Sequence, residues 1–150
     1  MAIKPNKLLV GVVKLKTRKK KLWIAIDPGE VIGWVVFEDS SVVDCKSGSF
    51  YEFKEYITNM NFVEAVIESS YYVPHSLGKW SEVWILIGRI TQILESRGTV
   101  VVYQNPSYKR CIKQIPDQYR QLKLNRHQKD ALKIGLWHLQ FYKKVCQKQN

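Results

Sequence analysis

A chain of 150 residues, 45% of them apolar, makes one globular domain with a real core, and its longest apolar runs fall far short of the ~18 residues of a membrane span. Twenty-four Lys and Arg against 13 Asp and Glu give a formal charge of +11, which points to a polyanionic partner or an acidic surface. Cys45, Cys111 and Cys146 are odd in number and widely spaced, and with His75, His127 and His138 they form no zinc motif. That argues against a disulfide framework and makes a reducing cytoplasm, or a host's cytoplasm, the expected location.

The charge is unevenly placed. Residues 1–21 carry eight basic side chains and no acid, residues 103–150 carry eleven basic and two acidic, and residues 22–102 carry five basic and eleven acidic. Basic ends around an acidic centre suit a nucleic-acid grip around a metal site better than a uniformly sticky surface. The expected organisation is a basic arm, 1–21, ahead of a domain spanning 22–150.

In chain order, strands are expected near 22–27, 33–38 and 42–50, punctuated by Gly33 and Ser40-Ser41 as in a meander of hairpins. "YEFKEYITNM" reads as a short amphipathic helix and "VEAVIES" as a strand ending in Glu68. A Tyr-, Pro- and Gly-containing loop, 69–80, leads into a helix with Ser81 as its N-cap and Gly98 as its C-cap. "TVVVYQ" is a further strand, residues 106–122 are broken helical turns around Pro106 and Pro116, and Asn125 caps a last helix over 126–144. Three successive strands followed by strands crossed by helices predict an α/β domain with a mixed sheet.

Asp27 closes the first strand and Glu68 the fourth. If those strands are parallel neighbours, both carboxylates emerge at one sheet edge, where open α/β sheets hold ligands. Asp130 lies in the first turns of the last helix with His127 one turn earlier on the same face, and the small Ala131 and Gly135 would let that helix approach the sheet. Three converging carboxylates repel one another unless divalent cations stand between them, and hard oxygen ligands suit Mg²⁺ or Mn²⁺. Each acid also has a plain structural reading: Asp27 in an Asp-Pro-Gly turn, Glu68 at a solvated strand end, Asp130 as a helix-dipole partner.

Taken together, "IAIDPGEVIGWVVF", "AVIESSYY" and "NRHQKDALKIGLWHL" resemble the three motifs of the RuvC family of Holliday-junction resolvases, on the RNase H-like fold, over about residues 22–145. The resemblance implies a mixed five-stranded sheet flanked by helices on both sides, with Asp27, Glu68, His127 and Asp130 as catalytic residues. Asp27 would bridge two Mg²⁺ or Mn²⁺ ions, Glu68 and Asp130 would complete their sites, and His127 would carry a proton. "YQNPSYKR" is similar to the Pro- and Lys-containing segment after the family's fifth strand, whereas the basic arm is a departure that resembles phage or viral variants. The implied activity is paired, symmetric cleavage of four-way DNA junctions, without any membrane partner.

For DNA contact the expected residues are Tyr71 and Tyr72, which can stack on or wedge between bases, together with Lys79, Lys109, Arg110, Lys113, Arg126 and Lys129. Helix 81–97 is apolar on more than one stripe (Val83, Trp84, Leu86, Ile87, Ile90, Ile93, Leu94), so it either lies deep in the core or faces a second subunit. The resemblance favours a homodimer through it, with Ile87 and Ile90 at the contact. Alternative readings are a non-catalytic DNA- or RNA-binding module and an RNA-processing nuclease of the same fold. Actin-like kinases share the opening motif, but they need a second domain and a second phosphate loop that this chain lacks.

Overall fold

A computed structural model describes residues 19–69 and 77–142, without the side chains of 77–81 and 142. The expected arm therefore lies mostly outside the described residues, as do Tyr71 and Tyr72. Strands β1 (Leu22–Asp27), β2 (Ile32–Glu38) and β3 (Ser41–Gly48) form an antiparallel meander. Asp39, at φ 54°, makes the tight turn between β2 and β3, a conformation that Asp tolerates better than most residues. β4 (Glu64–Glu68) then pairs parallel to β1, and β5 (Val100–Gln104) parallel to β4. The resulting order, β3-β2-β1-β4-β5, is a mixed five-stranded sheet.

Helix α1 (Phe50–Thr58) opens on a capping box in which Ser49 Oγ accepts from the Glu52 amide and the Glu52 carboxylate accepts from the Ser49 amide. That cap claims Ser49 and Phe50, so β3 ends before the expected residue 50. Helix α2 (Leu77–Ser96) begins ahead of the expected Ser81 cap, taking in residues that had read as loop. α3 (Pro106–Lys109) and α4 (Asp117–Arg120) are the short turns around the two prolines. α5 (Arg126–Trp137) does not run on to residue 144 as an α-helix; it loosens into a π-helical turn over His138–Tyr142. The loosening begins at His138, which is buried beside Trp23 with Nε2 2.7 Å from Glu64 Oε1. No helix among the described residues is long and apolar enough to cross a membrane.

The pleat assigns side chains to two layers. Ile24 and Ile26 of β1, with Ala65 and Ile67 of β4, join a core roofed by α1 and α2. Trp23 and Ala25, with Val66, join a second core under α5. Successive strand residues alternate faces, so Asp27 follows Ala25, and Glu68 follows Val66, onto the α5 side at the C-terminal ends of adjacent parallel strands.

Two glycines let α5 lie close to that side. A Cβ on Gly135 would strike the Phe37 ring, and one on Gly33 would overlap the backbone carbonyl of His127. Gly33 pairs with Asp27 across β1 and β2, so the helix start is seated directly over the strand that carries the acid. A ring can swing aside, but a helix carbonyl cannot. Gly33→Ala is therefore expected to cost about 1–3 kcal/mol and shift the start of α5, as an overpacked core does. Urea unfolding checks it against Gly29→Ala, whose new Cβ would meet only Val31 O at an ordinary 3.4 Å.

Candidate functional site

Asp27 and Glu68 reach the site on rigid strand ends. Asp130 comes from α5, whose start is anchored by its own sequence: Asn125 Oδ1 accepts from the Gln128 amide, and Gln128 Oε1 accepts from the Asn125 amide. The same two side chains bind the sheet. Asn125 Nδ2 donates to Ser47 Oγ at 2.7 Å, and Gln128 Nε2 donates to the Cys45 carbonyl at 3.4 Å. The fourth member comes from α3. Asn105 caps it by accepting from the Ser107 amide at 2.9 Å, Pro106 fills its first turn, and the turn carries Lys109 back over the ends of β1 and β4.

The Lys109 ammonium stands among all three acids. Its Nζ lies 3.0 Å from Glu68 Oε2, 3.5 Å from Asp27 Oδ1 and 3.7 Å from Asp130 Oδ2, and it donates to Glu68 Oε1 at 3.1 Å. All four side chains are mostly buried. Burial pushes the Asp27 carboxyl above its usual range; Lys109 opposes the shift, Asp130 adds to it, and His127 is near enough to lower it slightly. Burial likewise raises Glu68 against the pull of Lys109, with Asp27 and Asp130 adding to the rise. For Lys109, burial favours the neutral amine, but the three carboxylates more than offset it and raise its pKa.

Sequence reasoning placed Lys109 on the DNA; the structure puts its ammonium at the focus of the acids. A cation is what the three carboxylates share. The Asp27 carboxylate makes no hydrogen bond to the turn that follows it among the described residues, so the turn does not account for it.

The donor set suits a hard divalent ion. Every available ligand is a carboxylate oxygen, and Glu68 Oε2 is buried without a directed hydrogen bond, although the ammonium lies 3.0 Å away. As the side chains stand, no group of three or more His, Cys, Asp or Glu among the described residues is arranged to hold a metal ion, the ammonium being at their centre.

The remaining expected residues are dispersed. Arg110 lines a cleft of about 320 Å³ with Pro28, Glu68, Val83, Trp84 and Lys109. Lys113 and Lys129 line a separate basic cavity, and Arg126 is exposed on the first turn of α5. Lys79 falls on the first turn of α2. Ile87 and Ile90, expected at a subunit contact, are 7% and 0% exposed and belong to the core. The outward side of α2 carries instead Trp84 and Ile85, 44% and 58% exposed, beside Gly88, whose Cβ position is open. The sequence reading took Gly33 only as strand punctuation and Pro106 only as the centre of a broken turn; Asn105 ahead of Pro106, a cap followed by proline, was the available signal for the start of α3.

No family model matches the chain, and no curated protein matches it. Its fold does match solved structures. Thermus thermophilus RuvC in complex with a Holliday junction substrate aligns with TM-score 0.67 and 14% identity over 83% of this chain and 96% of that one. A second Thermus thermophilus RuvC structure gives 0.61 and 15% over the same shares. The Fowlpox virus resolvase, solved with its substrate Holliday junction DNA, gives 0.53 and 11% over 78% and 97%. The architecture is thus an RNase H-like α/β fold, the one these resolvase structures share.

Two charge changes test the site without any assay of activity. A raised folded pKa means the fold favours protonated Asp27. The stability this carboxyl lends is present below its ordinary pKa and lost as pH rises through the folded value, so the ionised carboxylate opposes folding at neutrality. Asp27→Asn should unfold at a higher temperature than the parent at pH 7, with the gap closing toward pH 3. Lys109→Met strands the acids without a counter-charge; it should cost about 3 kcal/mol in EDTA and gain more than the parent in Tm when Mg²⁺ or Mn²⁺ is added. Unaltered melting in EDTA would mean that the acids do not repel.

Proposed function

We propose that the protein is a structure-selective, metal-dependent endonuclease that resolves four-way DNA junctions by paired, symmetric cuts. The observation that supports this most is the convergence of Asp27, Glu68 and Asp130 on one buried cation position, in a fold whose solved neighbours include resolvases bound to Holliday junctions. Asp27, Glu68 and Asp130 would hold the Mg²⁺ or Mn²⁺ ions. Such ions stabilise charge on a phosphate and activate water for its hydrolysis.

The chain's own groups do the rest. His127, one turn before Asp130, is the side chain that would pass a proton to or from the attacking water. Arg110, at the cleft beside Glu68, draws the scissile phosphate in. The apolar cleft wall at Val83 and Trp84 keeps bulk water from one side. Because carboxylates bind cations only when ionised, the raised pKa of Asp27 and Glu68 should make metal-supported cleavage increase with pH through and above the ordinary carboxylate range.

Two strands need two sites, and a two-fold dimer provides them. Its contact in this reading is the outward side of α2 at Trp84, Ile85 and Gly88. Ile85→Asp should give monomers in sedimentation and abolish paired nicking, with Tm unchanged, whereas Ile87→Asp should unfold the protein.

The direct test incubates the protein with Mg²⁺ or Mn²⁺ and labelled four-way, three-way, linear duplex and stem-loop RNA substrates. Symmetric nicks in the four-way junction alone are expected. Asp27→Asn should reduce cleavage by orders of magnitude while junction binding survives. Normal cleavage by that variant would remove the acid cluster from the reaction, and cuts confined to RNA would reassign the substrate.

A further inference from the structure

The two edges of the sheet differ. β3, at one edge, is guarded: it carries Asp44 and Lys46, its pairing with β2 slips at Val36 and Phe37, and its Cys45 carbonyl accepts from Gln128 Nε2. Charges, bulges and covering groups are the usual means of keeping an edge strand from pairing further. β5, at the other edge, has none of them. Its residues, Val-Val-Val-Tyr-Gln, hold no charge, its register against β4 runs without a break, and Val100 and Tyr103 are 62% and 41% exposed.

The backbone of β5 is open on its outer side. In a parallel ladder, alternate residues turn both N–H and C=O toward the same neighbour. The Val100 amide donates to the Val63 carbonyl at 3.1 Å, and the Gln104 carbonyl accepts from the Ser69 amide at 2.9 Å, so Val100, Val102 and Gln104 face β4. Val101 and Tyr103 therefore turn their amides and carbonyls outward, and no group among the described residues bonds them. An extended segment can add to such an edge through main-chain hydrogen bonds alone.

The chain itself supplies a segment of the right kind. Residues 8–13, Leu-Leu-Val-Gly-Val-Val, are uncharged and rich in β-branched valine, and Val13-Lys14-Leu15-Lys16 alternates apolar with basic. An apolar run of this kind matches the valines of β5 better than the charged β3. The reach also fits. The Lys21 carbonyl accepts from the Asp39 amide, so the chain enters β1 at the end of the sheet where the parallel β5 also begins. One strand, β4, separates β5 from β1, a distance of about 10 Å at the usual spacing. The path from Leu15 to Lys20 can extend to about 17 Å. A chain that crosses there runs antiparallel to β5.

We infer that residues 8–15 pair antiparallel with β5 of the same chain, as an added strand that bonds the outward backbone groups of Val101 and Tyr103. The pairing makes the basic arm part of the sheet. Its direction carries Lys7 and Lys4 toward the C-terminal end of β5, the end at which Asp27 and Glu68 emerge.

Amide hydrogen exchange of the full chain, followed by NMR, tests this, with the β4-facing amides of Val100 and Val102 as internal controls. Val101 and Tyr103 should exchange about a hundredfold more slowly in the parent than in a chain lacking residues 1–15 or in the Val12→Pro/Val13→Pro double variant. Adjacent strand residues turn their amides opposite ways, so one of the two prolines removes a bond to β5 whatever the register. The controls should keep the parent's rates in both variants. Rapid exchange at Val101 and Tyr103 in the parent, or protection that survives both changes to the arm, would overturn the assignment. Protection that falls on dilution, in a protein that sediments as a dimer, would overturn it in favour of a strand from a second copy.

Discussion

Like charges on buried carboxylates repel strongly, because the interior screens them poorly and water cannot solvate them. Asp27, Glu68 and Asp130 meet under those conditions, and the ammonium of Lys109, within 3.0–3.7 Å of each, makes their meeting tolerable. Much of the fold serves that encounter. The parallel pairing of β1 with β4 puts two acids side by side, the Asn125 and Gln128 clamps hold the third, and the Asn105-Pro106 turn returns the lysine over them. One positive charge against three negative ones leaves the centre short of cation. Burial raises the carboxyl pKa values of Asp27 and Glu68, and the neighbouring acids add to the rise against the pull of Lys109.

The same arrangement sets function against stability. A chain selected only to fold would place an amide or an apolar residue at the end of β1, where burial penalises the ionised carboxylate. Retaining Asp27 there opposes folding at neutral pH, and perturbed groups of this kind cluster at functional sites.

How far the sequence revealed this depends on the range of each interaction. The meander, β4, β5 and the capped α5 were legible because alternation, turn residues and the Asn125 cap are local signals, and the sheet and its flanking helices followed from their order. The proximity of Asp27 and Glu68 was legible only on the condition that their strands are parallel neighbours, which the sheet meets. Lys109 was not placed among them because a four-residue helix has no periodicity; only the fold-back of α3 carries its ammonium to the acids. α2 misled for a different reason. Apolar stripes tell how much of a helix is covered but not by what, so Ile87 and Ile90 read as a contact between subunits when they fill the core. His138 was equally opaque: its partner Glu64 is 74 residues away, and the pairing depends on strand register.

What unifies the parts is the division of labour around α5. Its inner side, Ala131, Leu132, Ile134 and Gly135, is fully buried against the sheet, and Gly135 and Gly33 set how near it comes. Its first turns present Asp130 to the acids, and Lys129 and Lys133 line the basic cavity. Residues one apart on a helix point about 100° away from each other, so Asp130 and Lys129 stand side by side without neutralising one another. That separation explains how a chain of net charge +11 maintains an acidic centre. The opposite charges occupy different sides of one rigid element, and the backbone contact at Gly33 fixes that element's position. Any change that lets α5 rotate or lift would therefore disturb the acids and the lysines together, and packing far from solvent becomes a determinant of both.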